Sequence, residues 1–305
     1  MSDHVNGVLA SFSDALATSV ETAGSSVVTV SARQRLAATG IIWSADGWIV
    51  TANHVVERDD EITVTLPDGS TIEATLTGRD PGSDIALLTI AGKPLVPAPR
   101  SSATPKPGHI VLAVGRPGKG GLMASLGVIS LVGGPWRNNE GVSIDSFFRS
   151  DAAMLPGFSG GPLVDSSGGI LGMNSSTLGR KGGLTIPVAT IDRVVELLQS
   201  HGKVRRGFLG IGAQSVEINP GLRTALGIDQ ERALVVVNVQ PDGPAEVSGL
   251  LIGDVILSIK DQPVATVEQL QDHLTGEIVG TPVTIRLIRG GVLIDQQVIA
   301  GERGS

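Results

Sequence analysis

The chain has 305 residues, 41% hydrophobic and 17% charged, the composition of a folded protein long enough for two domains, so disorder along its whole length is excluded. Aromatics reach only 3%, with no Tyr, while Gly (41) and Pro (17) are abundant, which points to a loop-rich β protein packed with Val, Ile, Leu and Ala rather than a helical bundle. Basic side chains (23) are outnumbered by acidic ones (30), and the net charge of −7 leaves no footprint for a nucleic acid; zero Cys excludes disulfides, thiolate nucleophiles and Cys-ligated metals.

In chain order, Val8, Leu9, Phe12, Leu16 and Val20 recur at helical spacing and predict a helical arm over 1–24, ending at Gly24. Short β-branched runs follow at 27–30, 40–43, 48–51, 62–66, 71–76 and 85–90, with Asp46-Gly47 and Asp68-Gly69 placed as hairpin turns. A second set is predicted at 109–114, 124–131, 143–149, 162–164 and 170–174, before a helix over 191–198 that Gly202 closes. Beyond a short basic link at 203–207, strands at 234–239, 255–259, 283–288 and 292–299 alternate with helices at 245–250 and 267–274, the latter opened by Thr266. The domain reading is an arm (1–24), a β-rich body (25–201) and an α+β module (202–305). No stretch has the roughly 20 apolar residues of a membrane span, and the N-terminus lacks the basic start and apolar run of an export signal.

The chemistry concentrates in Gly157-Phe158-Ser159-Gly160-Gly161-Pro162. A Ser between glycines sits on a tight turn where successive amides can converge on an oxyanion, although a plain Gly-rich hairpin turn fits the string too. The same letters match the nucleophile elbow of α/β-hydrolases, but that fold needs a helix after the Ser and an acid and a His further on. Here Pro162-Leu163-Val164 reads as a strand, and the next His, His201, falls at the domain boundary. Among the five histidines (His4, His54, His109, His201, His273), His54 ends the apolar run Ile49-Val50-Thr51-Ala52-Asn53-His54, where a side chain can face a cleft from an anchored backbone. No second His follows at zinc-binding spacing. Asp84, at the mouth of the apolar run Ile85-Ala86-Leu87-Leu88, is either a strand boundary or the acid that orients the imidazole. The order His, Asp, Ser is that of the two-barrel serine proteases.

Thr51-Ala52-Asn53-His54-Val55-Val56, Ser83-Asp84-Ile85-Ala86-Leu87-Leu88, Ala113-Val114-Gly115-Arg116-Pro117 and Pro156-Gly157-Phe158-Ser159-Gly160-Gly161-Pro162-Leu163 together resemble the HtrA (Deg) family of chymotrypsin-like serine proteases. The module after residue 202 resembles the PDZ domain that follows the protease there. The resemblance implies a mainly β fold: two six-stranded antiparallel barrels, chymotrypsin-like, followed by an α+β PDZ domain. It implies His54 as general base, Asp84 as its orienter, Ser159 as nucleophile, and the amides of Gly157 and Ser159 as an oxyanion hole. Ala153, Gly172, Met173, Asn174, Ser175 and Ser176 would line a specificity pocket for small or medium apolar side chains. Phe208, Leu209, Gly210 and Ile211 would form a carboxylate-binding loop, with Leu270 and Leu274 flanking a groove for peptide C-termini.

The function so implied is ATP-independent endopeptidase action on unfolded or misfolded proteins, without a cofactor, by a homotrimer whose contact includes the arm around Phe12. The compartment is cytoplasmic if Met1 is the native start, and periplasmic or otherwise extracytoplasmic if the sequence is trimmed. The sequence departs from the family at Phe158, where Asn is usual, and in a short loop at 31–39. A bulky residue before the nucleophile could hold the loop in a resting shape, so a catalytically silent, peptide-binding or chaperone-like member is the alternative.

Overall fold

The computed structural model describes residues 2–34, 36–118, 120–137, 143–179, 183–274 and 276–302, with side chains from residue 7 onward. Two compact units divide at Met1–Val204 and Arg205–Ser305.

The first unit opens with α1 (Ser2–Gly24). Leu16, Val20 and Ala23 turn inward against the core, while Val8, Leu9 and Phe12 remain exposed. His4 lies outside the residues whose side chains are described. Six strands then close into an antiparallel barrel: β1 (Val27–Ser31), β2 (Ala38–Ile42), β3 (Trp48–Ala52), β4 (Ile62–Thr65), β5 (Thr71–Asp80) and β6 (Ile85–Ile90), in the order β1-β2-β3-β6-β5-β4. Closure leaves no free edge, which suits strands as apolar as β2 and β6.

After β7 (Ile110–Gly115) and β8 (Met123–Gly133) a two-residue ribbon pairs β9 (Trp136–Arg137) with β10 (Ser143–Ile144). A second barrel then closes with β11 (Phe147–Ser150), β12 (Pro162–Asp165), β13 (Ile170–Ser175) and β14 (Leu184–Pro187), in the order β11-β14-β13-β12-β7-β8. The sequence run 143–149 is therefore two strands, since β10 leaves the barrel for its own ribbon and β11 enters it. Helix α2 (Val188–His201) buries Ile191, Val194, Val195 and Leu198 and ends on Gly202 in the left-handed conformation. The Trp43 indole donates to Asp192 on α2 (2.9 Å), and the Arg100 guanidinium, stacked 3.5 Å over that indole, bonds the same carboxylate (3.1 Å), pinning the helix to the first barrel.

In the second unit β15 (Gly207–Phe208) pairs with β22 (Gly301–Glu302). The main sheet runs β16 (Ile211–Glu217), β17 (Arg232–Val239), β18 (Val255–Ile259), β20 (Pro282–Arg289), β21 (Val292–Ile299), with β19 (Gln262–Pro263) paired to β18. Between strands lie α3 (Pro220–Leu226), α4 (Pro244–Val247) and α5 (Val267–Asp272). The buried Asp254 carboxylate is clamped by two Arg289 hydrogen bonds (2.8 and 2.7 Å) and takes the Leu251 amide (2.8 Å), so this charge is fully partnered. Helix α5 opens with a capping box between Thr266 and Gln269. Thr266→Ala should cost about 1 kcal/mol of stability in this unit, read as a lowered denaturation midpoint in the full chain; an unmoved midpoint would show that the cap is dispensable.

Sequence patterning missed α3, β14 and β16, besides the two-residue strands β9, β15, β19 and β22. A seven-residue helix shows under two turns of periodicity, and its start is marked by the Asn219 side chain accepting from the Gly221 amide (2.9 Å). Among the described residues no helix is long and apolar enough to cross a membrane.

Candidate active site

Strand pairing sets the first two side chains. Ala52 at the end of β3 lies opposite Ile85 at the start of β6, so a residue just beyond one strand meets a residue just before the other. Those residues are His54, on the single helical turn Asn53–Val55, and Asp84. The His54 Nδ1 is 2.8 and 3.0 Å from the two Asp84 oxygens, and the His54 amide donates to Oδ1 at 2.9 Å. Asp84 holds a left-handed φ of 56°, a conformation an aspartate tolerates better than most side chains. The turn before it is tied by Asp80, whose carboxylate accepts from the Ser83 amide (3.2 Å) and hydroxyl (2.6 Å). Buried as it is, the Asp84 carboxylate also accepts from the Ser175 hydroxyl and from Thr177 Oγ1 (3.1 Å). These donors satisfy a charge that would otherwise be costly inside the protein.

The third side chain comes from the second barrel, on the loop between β11 and β12. Leu155-Pro156-Gly157-Phe158 forms a turn closed by the Phe158 amide on the Leu155 carbonyl (3.0 Å). Proline in second place and a Gly at φ 85° in third are the pattern of a type II turn, in which the third residue must adopt positive φ. The Gly157 carbonyl is fixed by the Thr39 hydroxyl of the first barrel (2.7 Å), which itself accepts the Arg116 amide (2.9 Å). Arg116 is anchored in turn on the carbonyls of Val27 and Gly24, and burial pushes its guanidinium pKa down. Beyond Ser159 the loop is stitched to β13, Gly160 amide to Asn174 carbonyl (2.9 Å) and Asn174 amide to Gly161 carbonyl (2.8 Å). Among the described residues neither the Gly157 nor the Ser159 amide donates to an acceptor in the chain.

Phe158, the departure noted in the sequence, is fully buried in the second barrel with Val111, Ala113 and Leu163. The ring needs Gly115, where a Cβ would stand 2.5 Å from Phe158 Cδ1. Gly115→Ala should therefore overpack this core, costing about 1–3 kcal/mol and disturbing the neighbouring Ser159 loop. Phe158→Leu in the same chain should recover the melting temperature, and failure of that rescue would refute the contact as the cause.

His54 and Ser159 meet along a cleft of about 650 Å³ whose lining also includes Met154, Leu155, Gly157 and Ser176, while Asp84 is buried behind the imidazole. Ser159 Oγ is 2.9 Å from Ser176 Oγ, which is 3.3 Å from His54 Nε2. The serine and the imidazole are thus joined through a second hydroxyl, and no direct hydrogen bond links them.

The expected pocket residues divide. Ser176 lines the cleft, and Asn174 lines a smaller cavity with Met154, Phe148, Ser150, Leu184 and Thr185. Ala153 does not line either cavity; its carbonyl accepts the Ser125 hydroxyl (2.7 Å). Met173 is fully buried in the main core, Gly172 is packed on the Ile186 carbonyl, and Ser175 is engaged with Asp84, so none of these three lines either cavity. Met154 lines both cavities. Sequence reasoning also missed Thr177 and Thr39; the run Ser175-Ser176-Thr177 was the available signal for the first.

In the second unit β16 is an edge strand paired with β17, and α5 packs against it. Ile211, Leu274 and Phe208 are half-buried, whereas Leu209 and Leu270 are buried in the core of this unit. The loop before β16 turns its carbonyls inward, Leu209 accepting from Ala245 and Gly210 from Gln240 (2.8 Å each). The amides of Leu209 and Gly210 have no acceptor among the described residues.

A trypsin-like peptidase domain family matches residues 38–173, and a PDZ domain family matches 207–299. A probable periplasmic serine endoprotease, DegP-like, of Ectopseudomonas mendocina is 40% identical over 260 residues, covering 83% of this chain and 54% of its own length. The chain thus spans about half the length of the DegP-like relatives it matches. The serine endoprotease DegS of Escherichia coli is 32% identical over 88% of this chain and 77% of its own. Among solved structures, the HtrA-type protease AlgW with a decapeptide superposes with a TM-score of 0.77 at 30% identity, covering 95% of this chain and 99% of AlgW. The serine endoprotease from Yersinia pestis gives 0.78 at 32% identity, covering 95% and 98%. Barrels, PDZ module and relatives agree, and the protein belongs to the HtrA family of serine endoproteases.

Proposed function

We propose that this protein is an ATP-independent endopeptidase of unfolded or misfolded proteins in which His54, Asp84 and Ser159 act as base, orienter and nucleophile. The observation that carries the reading is the bifurcated His54 Nδ1–Asp84 contact at 2.8 and 3.0 Å, with the Ser159 hydroxyl on the far side of the same imidazole, one hydroxyl away. Asp84 fixes the Nδ1–H tautomer, so Nε2 is left bare and faces the nucleophile. When Ser159 Oγ bonds to a scissile carbonyl carbon, its proton ends on Nε2, and Asp84 stabilises the imidazolium. The same proton goes to the leaving amine as the C–N bond breaks. The unengaged Gly157 and Ser159 amides would take the developing oxyanion, and the type II turn with its carbonyl tied to Thr39 supports that role.

The free edge of β16 and the open amides of Leu209 and Gly210 support capture of a peptide C-terminus as an added strand. Assembly as a homotrimer through the exposed Phe12 face of α1, and a location outside the cytoplasm as in the relatives named periplasmic, complete the proposal. The arrangement predicts stoichiometric labelling of Ser159 by a fluorophosphonate and digestion of unfolded casein. A chain that binds C-terminal peptides but takes up no label would be the silent member instead.

A further inference from the structure

We propose that Arg116 is a positioning residue for the peptidase reaction, its guanidinium holding in place the wall on which the Gly157 turn is built. The inference rests on the roles proposed above for Ser159 and the Gly157 amide and goes beyond them, because it names what keeps that amide aimed.

Arg116 follows β7 of the second barrel, yet its side chain reaches across to the first. Nε donates to the carbonyl of Val27, which opens β1 (2.7 Å), and Nη2 donates to the carbonyl of Gly24, which ends α1 (3.0 Å). The last carbonyls of a helix lack partners within it and carry partial negative charge, so a cation placed there answers both needs. The main chain of the same residue is held as well. Thr29 of β1 donates its hydroxyl to the Arg116 carbonyl (2.7 Å), and the Arg116 amide donates to the Thr39 hydroxyl (2.9 Å).

Two contacts pass this anchorage to the turn. Thr39 Oγ1 accepts the Arg116 amide and gives its own proton to the Gly157 carbonyl (2.7 Å). An amide can only donate and a carbonyl can only accept, so both bonds have a fixed direction, and Thr39 is fully buried. The second contact is steric: Pro117 stands so close to Gly157 that a Cβ there would collide with it. The hydroxyl sets the plane of the peptide that follows Gly157, and Pro117 blocks its Cα from moving toward the β7 loop. The Gly157 amide belongs to the preceding peptide, one φ,ψ pair away. At a φ of 85° the turn is of type II, and a flip of that preceding peptide to type I would reverse the direction of the Gly157 N–H. Arg116 opposes the flip without touching substrate, nucleophile or base.

The test compares the full chain with Arg116→Met, which keeps the stem and loses the donors, Arg116→Lys, which keeps the charge alone, and Thr39→Val, which cuts the link at the turn while keeping the shape. Arg116→Met should lose about 10- to 100-fold in kcat on casein with KM little changed. Arg116→Lys should fall between it and the parent. The pH midpoint of kcat should stay where it is, since His54 and Asp84 keep their contacts. Fluorophosphonate labelling of Ser159 should slow yet still end at one label per chain, a combination that a partly unfolded population could not give. Thr39→Val should show the same pattern, and the double variant should lose little more than the worse single one, because both act through one carbonyl. Arg116→Met turning over casein at the parent's rate, or losses that multiply in the double variant, would overturn the positioning role and leave the Ser159 assignment intact. Should Arg116→Met fail to fold, a parent-like kcat in Thr39→Val would overturn it equally. A parent that takes no label at all would overturn both readings.

Discussion

Ser159→Ala should abolish proteolysis, lowering kcat on casein by a factor on the order of 10⁶ and removing fluorophosphonate labelling altogether. The substitution deletes one oxygen from a side chain that is only 7% exposed, in a loop held by the main-chain bonds of Gly160, Gly161 and Asn174. Folding should therefore survive, and binding of C-terminal peptides by the second unit with it. If base and nucleophile work as a unit, His54→Ala should lose nearly as much, and the double variant little more than either single one. Cleavage by Ser159→Ala at a rate near the parent's would end the assignment.

Asp84→Asn should lower kcat by about 10⁴-fold with little change in KM. The amide has almost the shape of the carboxylate but offers one acceptor oxygen where the native side chain offers two, and Asp84 takes donors from the His54 ring, the His54 amide, Ser175 and Thr177. An NH₂ group facing Nδ1 would force the ring proton onto Nε2, the atom that must be bare to receive the nucleophile's proton. A loss under tenfold would mean that Asp84 only shapes the turn before β6.

The three proposed residues could be singled out in the sequence because each sits in a short, chemically distinctive string: a His closing an apolar strand, an Asp opening one, a Ser between glycines. What joins them could not. The pairing of Ala52 with Ile85, which brings His54 to Asp84, is a property of barrel closure, and the hydroxyl of Ser176 between nucleophile and base depends on where β13 ends. That Met173 turns into the core was hidden for a related reason. Neighbouring strand residues face opposite ways, and nothing local tells which of Met173 and Asn174 points to the core. In the second unit the sequence marked a loop and a helix for the groove but could not show that Leu209 and Leu270 are buried, which depends on how the sheet closes over them. Nor did the sequence say which basic side chain would neutralise Asp254; Arg289 lies on β20.

The hydroxyl of Thr39 has main-chain partners on two separate segments of the second barrel, the carbonyl of Gly157 and the amide of Arg116, although it grows from the first. The geometry of the loop that carries Ser159 is therefore slaved to the spacing of the two barrels. Any influence that slides one body past the other by an ångström reaches the turn beside Ser159 before it melts a single strand, and such a joint lets the chain be intact and idle at once.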